Sequence, residues 1–149
     1  MRRTRFDEWP CPIARVTDLL GDWWTPLVLR QAFQGQRRFD DIQDALGIPR
    51  AVLAQRLGRL VDEGVLVKVP YEEHPPRYEY RLTDKGRALW DVLAAMWRFG
   101  DDWMFDDVAP NPLALVDRDT GAEVRPLVVD EATGEALDVR RLRLALRPT

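Results

Sequence analysis

Two short apolar stripes, separated by the three residues Gly47-Ile48-Pro49, constrain the fold of this chain more than any other feature. The first stripe lies in residues 39–46 and the second in residues 49–63. Two helices joined by a tight, glycine-containing turn are typical of a helix-turn-helix, whose second helix is presented to DNA. The apolar residues that recur at helical spacing are Phe39, Ile42, Ala45, Leu46, Leu53, Leu57, Leu60 and Val61.

The hydrophobic period changes after Gly64. Residues 65–71 are rich in β-branched side chains, residues 72–76 do not easily continue a strand, and residues 77–82 resume an alternating pattern. This arrangement predicts a β-hairpin with a charged tip. A hairpin that follows a helix-turn-helix is the wing of a winged helix-turn-helix, and we expect its tip to contact DNA.

Helical patterns flank these elements on both sides. The spacing predicts helices over residues 12–20 and 23–33, with Asp22 as the cap of the second, and one long helix from Thr83 or Asp84 to about Met104. The last helix has a wider apolar surface than one small core requires. We therefore expect a mainly helical α+β fold in which the first and last helices pair across the two-fold axis of a homodimer.

Chain length and composition limit the number of domains and the class of protein. A chain of 149 residues suits one compact domain with an appendage, which we place at residues 9–105 and 106–149. The second segment accounts for the net charge of −3. No apolar run approaches the roughly 20 residues that span a bilayer, and the N-terminus lacks the apolar core of a signal peptide. We expect a cytoplasmic protein without a membrane partner.

The C-terminal segment contains an internal repeat. The sequence VDRDTGAEV, residues 116–124, is followed 13 residues later by VDEATGEAL, residues 129–137. Each copy alternates around Thr-Gly, which predicts two successive hairpins. The pattern is similar to the Cys-x-x-Cys-Gly knuckle of zinc ribbons, but threonine is a poor zinc ligand, so we expect a ribbon-like module without metal. Residues 140–146 are predicted to form an amphipathic strand.

The helix over residues 49–63 carries the candidates for reading DNA. A helical wheel places Ala51, Gln55 and Arg59 opposite the apolar stripe, with Arg50 and Arg56 near the exposed N-terminal half. Glutamine can pair with adenine and arginine with guanine in the major groove, each pair contributing on the order of 1–3 kcal/mol of discrimination. We expect Gln55 and Arg56 to read bases, although a solvated helix face is the alternative.

Basic residues outside this helix suit contacts with the DNA backbone. Arg37 and Arg38 lie at the start of the third helix, where phosphate contacts would set position rather than sequence. Arg77 follows two prolines in the wing and is placed to enter a narrow minor groove. His74, at the wing tip, is included in the predicted DNA-binding set as a hydrogen-bonding or solvated residue. For Arg37 and Arg38 the alternative is a solvated turn.

Several spaced features together resemble the HxlR-type family of bacterial winged-helix transcription regulators over about residues 9–105. These features are Cys11-Pro12, Gly21 followed by tryptophan, Arg38-Phe39, Gly47-Ile48, Tyr71 with Pro75-Pro76-Arg77, Glu79-Tyr80, and Leu82-Thr83 with Gly86. The resemblance implies a homodimer that binds a short inverted repeat and represses or activates transcription in response to a chemical signal. Pro49 departs from the serine that is more frequent in the family, so the backbone or Arg50 would have to hold the phosphate.

Cys11 is the candidate redox sensor. It begins the first predicted helix, where the helix dipole favours a thiolate, and Arg15 adds a cation one turn later. The resemblance implies an oxidant sensor, because family members that respond to quinones, diamide-like oxidants or hypochlorite have a cysteine at this site. The alternative is a half-buried residue that packs beside Trp9 and Trp23.

Four tryptophans form a second candidate site. Trp23, Trp24, Trp90 and Trp97 would line a small-molecule pocket if they met at a dimer interface. The alternative is that these side chains belong to the hydrophobic core, where large aromatic residues are usually found.

An enzyme is a poor interpretation of the chain. It has one histidine and one cysteine, and it lacks a phosphate-binding glycine loop, a metal-ligand cluster and paired carboxylates in a predictable cleft. We expect no cofactor and no metal. The predicted partners are double-stranded DNA, a second copy of the chain and an oxidant or small-molecule effector. The alternative function is a winged-helix module that docks proteins without specific DNA binding.

Overall fold

The computed structural model describes residues 5–147. The chain divides into two compact units, Met1–Trp90 and Asp91–Thr149. The predicted domain boundary at residues 105 and 106 stays a prediction. The chain divides into compact units after residue 90 because residues of α6 make hydrogen bonds to the C-terminal segment: Arg98 donates to the Pro126 carbonyl oxygen at 3.1 Å, and Asn111 donates to Asp101 at 2.8 Å.

The elements of the first unit follow the predicted order of helices and hairpin. The bounds are α1 Pro12–Leu20, α2 Thr25–Phe33, α3 Phe39–Leu46, α4 Arg50–Asp62, β1 Leu66–Glu73, β2 Pro76–Leu82 and α5 Asp84–Ala88. A further helix, α6, covers Trp90–Trp103, and a 3-10 helix covers Val139–Arg141. This order confirms the predicted winged helix-turn-helix within an α+β fold.

The core of the first unit forms where the apolar stripes of its helices meet the base of the hairpin. Each buried leucine or isoleucine side chain contributes roughly 1.5–3 kcal/mol relative to an exposed one. The wing therefore stands on the same core that holds the helix-turn-helix. The buried apolar residues of this unit are Val28, Leu29, Ile42, Ile48, Leu53, Leu57, Leu60, Val65, Leu66 and Leu89.

The turn between α3 and α4 is tight because three consecutive residues have distinct roles. Gly47 adopts a left-handed conformation with a φ of 62° and donates its N–H to the Gln43 carbonyl oxygen at 2.8 Å. Ile48 inserts its side chain into the core, and its carbonyl oxygen accepts a hydrogen bond from Nε2 of Gln43 at 3.3 Å. Pro49 is the N-cap of α4. The predicted helix-turn-helix is confirmed.

The wing is an antiparallel hairpin that is attached to the segment preceding α3. Strands β1 and β2 pair from Leu66 opposite Leu82 outward, and the register shifts between Pro70 and Glu72. Tyr80 donates its N–H to the Arg37 carbonyl oxygen at 2.7 Å. Arg38 forms an antiparallel bridge with Glu79. The backbone before α3 therefore fixes the base of the wing.

The single long helix predicted from residue 83 or 84 to 104 is wrong, because Leu89 separates α5 from α6. Leu89 donates its N–H to the Gly86 carbonyl oxygen at 3.1 Å. This hydrogen bond reaches the third preceding residue instead of the fourth, so it interrupts the α-helical pattern. Leu89 is buried, which favours this local turn. The predicted start is correct, since Thr83 caps α5 by accepting from the Gly86 N–H at 3.0 Å.

The repeated sequences in the second unit form two similar loops. The first has a bridge between Val116 and Glu123, and the second has one between Val129 and Ala136. In both loops the aspartate that follows the bridging valine caps the turn: Oδ1 of Asp117 accepts from the Thr120 N–H at 2.8 Å, and that of Asp130 accepts from the Thr133 N–H at 3.0 Å. The internal repeat is therefore also a structural repeat.

The amphipathic strand predicted over residues 140–146 is wrong. Asp138 starts a turn of 3-10 helix by accepting the Arg140 N–H at 3.0 Å, and residues 142–147 follow without pairing to a strand. The hydrogen bond to the Asp138 carboxylate therefore determines the backbone conformation here, rather than the alternation of basic and apolar residues. Within residues 5–147, none of the helices combines the length and the apolar character that crossing a membrane requires.

Candidate nucleic-acid interface

The surface of α4 that faces away from the core consists mostly of small side chains around one glutamine. Three buried leucines recur at helical spacing on the inner face of α4, so the opposite face is exposed to solvent. Within the described part of the chain, the Gln55 side chain makes no hydrogen bond. This face is suited to close approach by a ligand. Its exposed residues are Arg50, Ala51, Ala54, Gln55, Gly58 and Asp62.

Arg56 is less exposed than the helical wheel predicted, with a side chain that is 19% exposed. Its Nε lies 3.0 Å from Oδ1 of Asp22, and both side chains are mostly buried. This N–H makes no aligned hydrogen bond, so the contact is electrostatic. The sequence prediction failed because Asp22, in the turn between α1 and α2, lies beside this face of α4 in the folded unit.

Asp22 holds this turn together as well as facing Arg56. Its Oδ1 accepts from the N–H groups of Trp24 and Thr25, both at 2.9 Å, as a cap before α2. Burial alone would raise the pKa of Asp22, but hydrogen bonds from Thr25 and Trp24 and the positive charge of Arg56 leave it below its ordinary value of 3.8. A carboxylate held ionised in this way retains its cationic partner.

Arg59 is also turned inward, contrary to the helical-wheel prediction. Its Nη2 lies 2.8 Å from Oδ2 of Asp18 and 2.7 Å from the Asp18 carbonyl oxygen. The Asp18 side chain is only 5% exposed and that of Arg59 is 24% exposed. The wheel treats α4 as isolated, whereas α1 covers this part of its surface. Arg59 therefore joins α4 to α1, and reading a base would require this link to break.

Arg50 lies at the exposed N-terminal end of α4. Its guanidinium is 4.7 Å from the centre of the Phe39 ring, and its Nη1 is 3.3 Å from Oδ1 of Asp40. Pro49 caps the helix without a side-chain hydrogen bond. Phosphate oxygens bind readily at such helix ends because the first N–H groups point outward. That Arg50 or the backbone holds a phosphate in place of the missing serine stays a prediction.

Arg37 and Arg38 lie beside the base of the wing, and both are exposed. The Arg38 guanidinium is 4.6 Å from the centre of the Tyr71 ring, a cation–π contact. Tyr71, one of the residues that carry the family resemblance, lies at the register shift in β1, but its contact with Arg38 was not predicted from the sequence. The bulge turns an aromatic ring toward Arg38, so the shift orients a cation near the N-terminus of the helix-turn-helix.

The wing carries a second set of exposed cations. Nε of Arg77 is 3.3 Å from Oε2 of Glu72, a contact in which both side chains remain largely exposed. Such a surface ion pair contributes little to stability, so Arg77 can exchange Glu72 for another anion at little cost in free energy. His74 is exposed at the tip. Lys68 was missed by the sequence analysis; its Nζ lies 4.2 Å from the centre of the Tyr78 ring.

Cys11 is the N-cap of α1 and is a free, partly exposed cysteine. The Arg15 side chain, which was expected to favour the thiolate, donates from Nε to the Trp9 carbonyl oxygen at 2.6 Å. The Trp9 ring meets Phe6 edge-on at 5.1 Å. The thiol is partly accessible, and Trp23, which the packing alternative also placed beside it, is 91% exposed; the choice between sensing and packing stays a prediction.

The four tryptophans of the predicted pocket have different surroundings. Trp23 is 91% exposed, Trp24 is partly buried, and the Trp90 ring contacts Phe33 edge-on at 5.3 Å. Trp97 belongs to the second unit. The pocket that would unite all four stays a prediction.

Exposed apolar side chains occur on α1 and α6, the two helices that were predicted to pair between subunits. On α1, Ile13 is exposed, and on α6 the exposed side chains include Met96, Phe99 and Trp103. Contiguous exposed apolar side chains commonly mark surfaces that bind other proteins. Helix α6 has several such side chains and α1 has one, and the pairing of the two helices between subunits stays a prediction.

Comparison with known proteins gives consistent matches. A family model described as HxlR-like helix-turn-helix matches residues 19–107. An uncharacterized HTH-type transcriptional regulator of Mycobacterium tuberculosis is 37% identical over 130 residues, covering 87% of this chain and 82% of the relative. The crystal structure of PA1607 is 40% identical with a TM-score of 0.85, covering 95% of this chain and 99% of that one. The redox regulator HypR in its reduced form is 26% identical with a TM-score of 0.60, covering 66% and 96%.

Proposed function

The chain belongs to the HxlR-like helix-turn-helix family of DNA-binding transcriptional regulators, and we propose that it acts as a homodimer on an inverted-repeat operator. The observation that carries this proposal is the division of charge around α4. Two of its arginines, Arg56 and Arg59, are paired inside the unit, whereas the arginines around it remain at the surface. Helix α4 then enters the major groove, and the surrounding cations hold phosphates.

The outer cations set the position of the protein on DNA. Arg37, Arg38 and Arg50 flank the N-terminal side of the helix-turn-helix, and Arg77 extends from the wing with His74 beside it. Contacts from such residues to phosphate give affinity without sequence preference, and Arg77 is suited to a narrow minor groove. Ala51 and Gln55, on the outer face of α4, contact base edges. Arg56 and Arg59 support α4 from behind.

A second copy of the chain covers the apolar surfaces of α1 and α6. The exposure of Phe99 and Trp103 on α6 and of Ile13 on α1 supports this arrangement. In a symmetric dimer the same residues of both subunits are buried, so the residues exposed on one chain can form the contact with their own copies. The operator then contains two half-sites related by the same two-fold axis, about one helical turn apart.

The signal that controls DNA binding acts at Cys11. This thiol is partly accessible at the start of α1, and the similarity to the redox regulator HypR supports an oxidant as the effector. Mass spectrometry after mild oxidation, with the Cys11→Ser variant as control, tests the assignment. An adduct or intersubunit disulfide at Cys11 supports it; an unmodified Cys11 assigns the residue to packing.

DNA binding is tested by fluorescence anisotropy with the duplex immediately upstream of the gene, with an unrelated duplex as competitor. Specific binding should resist the competitor and weaken linearly in log affinity against log salt. Arg77→Ala should weaken binding to all sequences and reduce the salt slope by about 1. Arg143→Ala, which removes an exposed arginine of the C-terminal segment, is the matched control and should change neither quantity.

A negative result in the anisotropy experiment leads to a second experiment. Equal, weak binding to both duplexes would require selection from a random pool, since the operator can lie elsewhere in the genome. A random pool that yields no enriched sequence would overturn the proposal in favour of the protein-docking alternative.

A further inference from the structure

We propose that each half-site contains an A·T base pair that Gln55 reads through the adenine, with Ala51 and Ala54 lying against thymine methyl groups. This inference rests on the proposed function and specifies the base that α4 selects. Few side chains of α4 are exposed and able to meet a base. A single substitution among them should therefore change the base preference in a known direction.

Arginine is excluded from the centre of the interface by its contacts inside the unit. The two arginines in the middle and C-terminal half of α4 are Arg56 and Arg59, which face Asp22 and Asp18 at 3.0 Å and 2.8 Å. Pairing with guanine would break the contact of each arginine with a mostly buried carboxylate, which is costly. A guanine contact from the middle of α4 would therefore carry a large penalty.

Gln55 is the remaining long side chain that can read a base at the middle of α4. It is exposed, and the other exposed polar residues of the helix, Arg50 and Asp62, lie at its two ends. The carboxylate of Asp62 is repelled by the DNA backbone. A glutamine amide has one acceptor and one donor side, which match the N6 donor and N7 acceptor of adenine. Adenine is consequently the base that satisfies both ends of the amide.

The residues around Gln55 leave room for the partner base. Ala51 lies one turn before it and Ala54 directly before it, both on the exposed face. A methyl side chain makes an apolar contact with the C5-methyl group of thymine. A cytosine at the same place would present no methyl group to these alanines. The alanines therefore favour the same base pair that the glutamine selects.

Gly58 supports a close approach of this face to DNA. A Cβ added at Gly58 meets no atom within 4 Å, so packing inside the unit does not require glycine there. Glycine within a helix is destabilising relative to alanine, and it is commonly retained where a backbone must approach a ligand. Together with Ala51 and Ala54, Gly58 lets the axis of α4 lie deep enough for Gln55 to reach a base edge.

The test is selection of bound duplexes from a random DNA pool with the full chain, followed by sequencing. The wild type should enrich an inverted repeat with an A·T pair at a fixed position of each half-site. Gln55→Ala should lose that preference by roughly 5- to 150-fold while other positions keep theirs. Gln34→Ala, the same change at an exposed residue outside α4, should select the wild-type sequence.

Two further experiments test the Gln55 contact and the thymine methyl contact separately. Gln55→Arg should shift the preference at the same position from A·T toward G·C, because arginine pairs with guanine. Replacing thymine by deoxyuracil in the selected operator removes the C5-methyl group and should weaken wild-type binding by about fourfold per contacted methyl. Arg50→Ala should weaken binding to all sequences alike.

Specific outcomes would overturn the inference while leaving the proposed function standing. An enriched repeat whose base preferences are the same for wild type, Gln55→Ala and Gln55→Arg would exclude Gln55 as the reader. Equal binding to thymine and deoxyuracil operators would exclude the methyl contact. A folded wild type that enriches no sequence would instead overturn the proposed function, and this inference with it.

Discussion

Arg59 on α4 and Asp18 on α1 are joined twice, once through the Asp18 carboxylate at 2.8 Å and once through its carbonyl oxygen at 2.7 Å. The Asp18 carboxylate also accepts the Phe6 N–H at 3.4 Å. One buried side chain thus connects the N-terminal segment, α1 and α4. An arginine that the sequence analysis assigned to DNA is instead in contact with α1 inside the unit.

We expect the Asp18→Asn variant to be less stable than the wild type by about 1–2 kcal/mol. The substitution keeps the shape of the side chain but leaves the half-buried Arg59 without a counter-charge. Urea denaturation followed by circular dichroism measures the difference in the free energy of unfolding. Asp7→Asn is the control, because Asp7 pairs with Arg5 at an exposed site where such pairs contribute little. Equal effects of both changes would contradict a structural role for Asp18.

Stability should depend on pH through Asp22. Its pKa in the folded chain lies below its ordinary value of 3.8, since hydrogen bonds from Thr25 and Trp24 and the charge of Arg56 outweigh the effect of burial. The ionised group therefore contributes stability at pH values above about 4, and this contribution is lost as the pH falls through the folded pKa.

The Asp22→Asn variant tests this pH dependence. Urea midpoints from pH 7 down to pH 2.5 should show a wild type that exceeds the variant in stability near neutral pH, with the difference shrinking below about pH 4. Asp44→Asn, at an exposed position of α3, should follow the wild type throughout. A difference between wild type and Asp22→Asn that stays constant down to pH 2.5 would rule out this contribution.

We expect Gly58→Ala to stabilise the chain and to weaken DNA binding at the same time. Alanine gains about 0.5–1 kcal/mol over glycine in a helix, and the added Cβ meets no atom within 4 Å. The same methyl group would stand between α4 and the groove. Thermal denaturation and anisotropy on one preparation measure both quantities. A stabilised variant with unchanged affinity would show that α4 does not approach DNA through Gly58.

We expect the Phe99→Asp variant to be a monomer with weakened operator binding. Phe99 is 59% exposed on α6, so a charge there costs little in the isolated chain but is unfavourable inside an apolar subunit contact. Light scattering after size-exclusion chromatography measures the mass. Val139→Asp, at another exposed apolar position in the second unit, is the control and should remain dimeric. A dimeric Phe99→Asp variant would place the subunit contact elsewhere.

Patterns that repeat within a few residues were sufficient to predict the elements from α1 to β2. The stripe through Leu53, Leu57 and Leu60 gives the buried face of α4, and Gly47 gives the turn before it. These signals are local, since the period of a helix or strand and the conformation of a glycine act over one or two turns. The outer positions of Ala51 and Gln55 follow from the same stripe.

Contacts between distant segments were not predictable in the same way. Nothing in the local sequence shows that Asp18 meets Arg59, because the two residues approach only after α1 packs beside α4. The interruption at Leu89 has the same origin, since the pattern around it is helical on both sides.

The attachment of the wing to the segment before α3 has a consequence for how new operators arise. The Arg38–Glu79 bridge and the Tyr80–Arg37 hydrogen bond hold the hairpin beside the helix-turn-helix, so in the proposed complex the fold fixes the stretch of duplex that one subunit spans. In the same proposal, the identity of the bases within that stretch depends on exchangeable outer side chains such as Gln55. A lineage can thus alter which genes it recognises by point mutation while the footprint of each subunit stays constant.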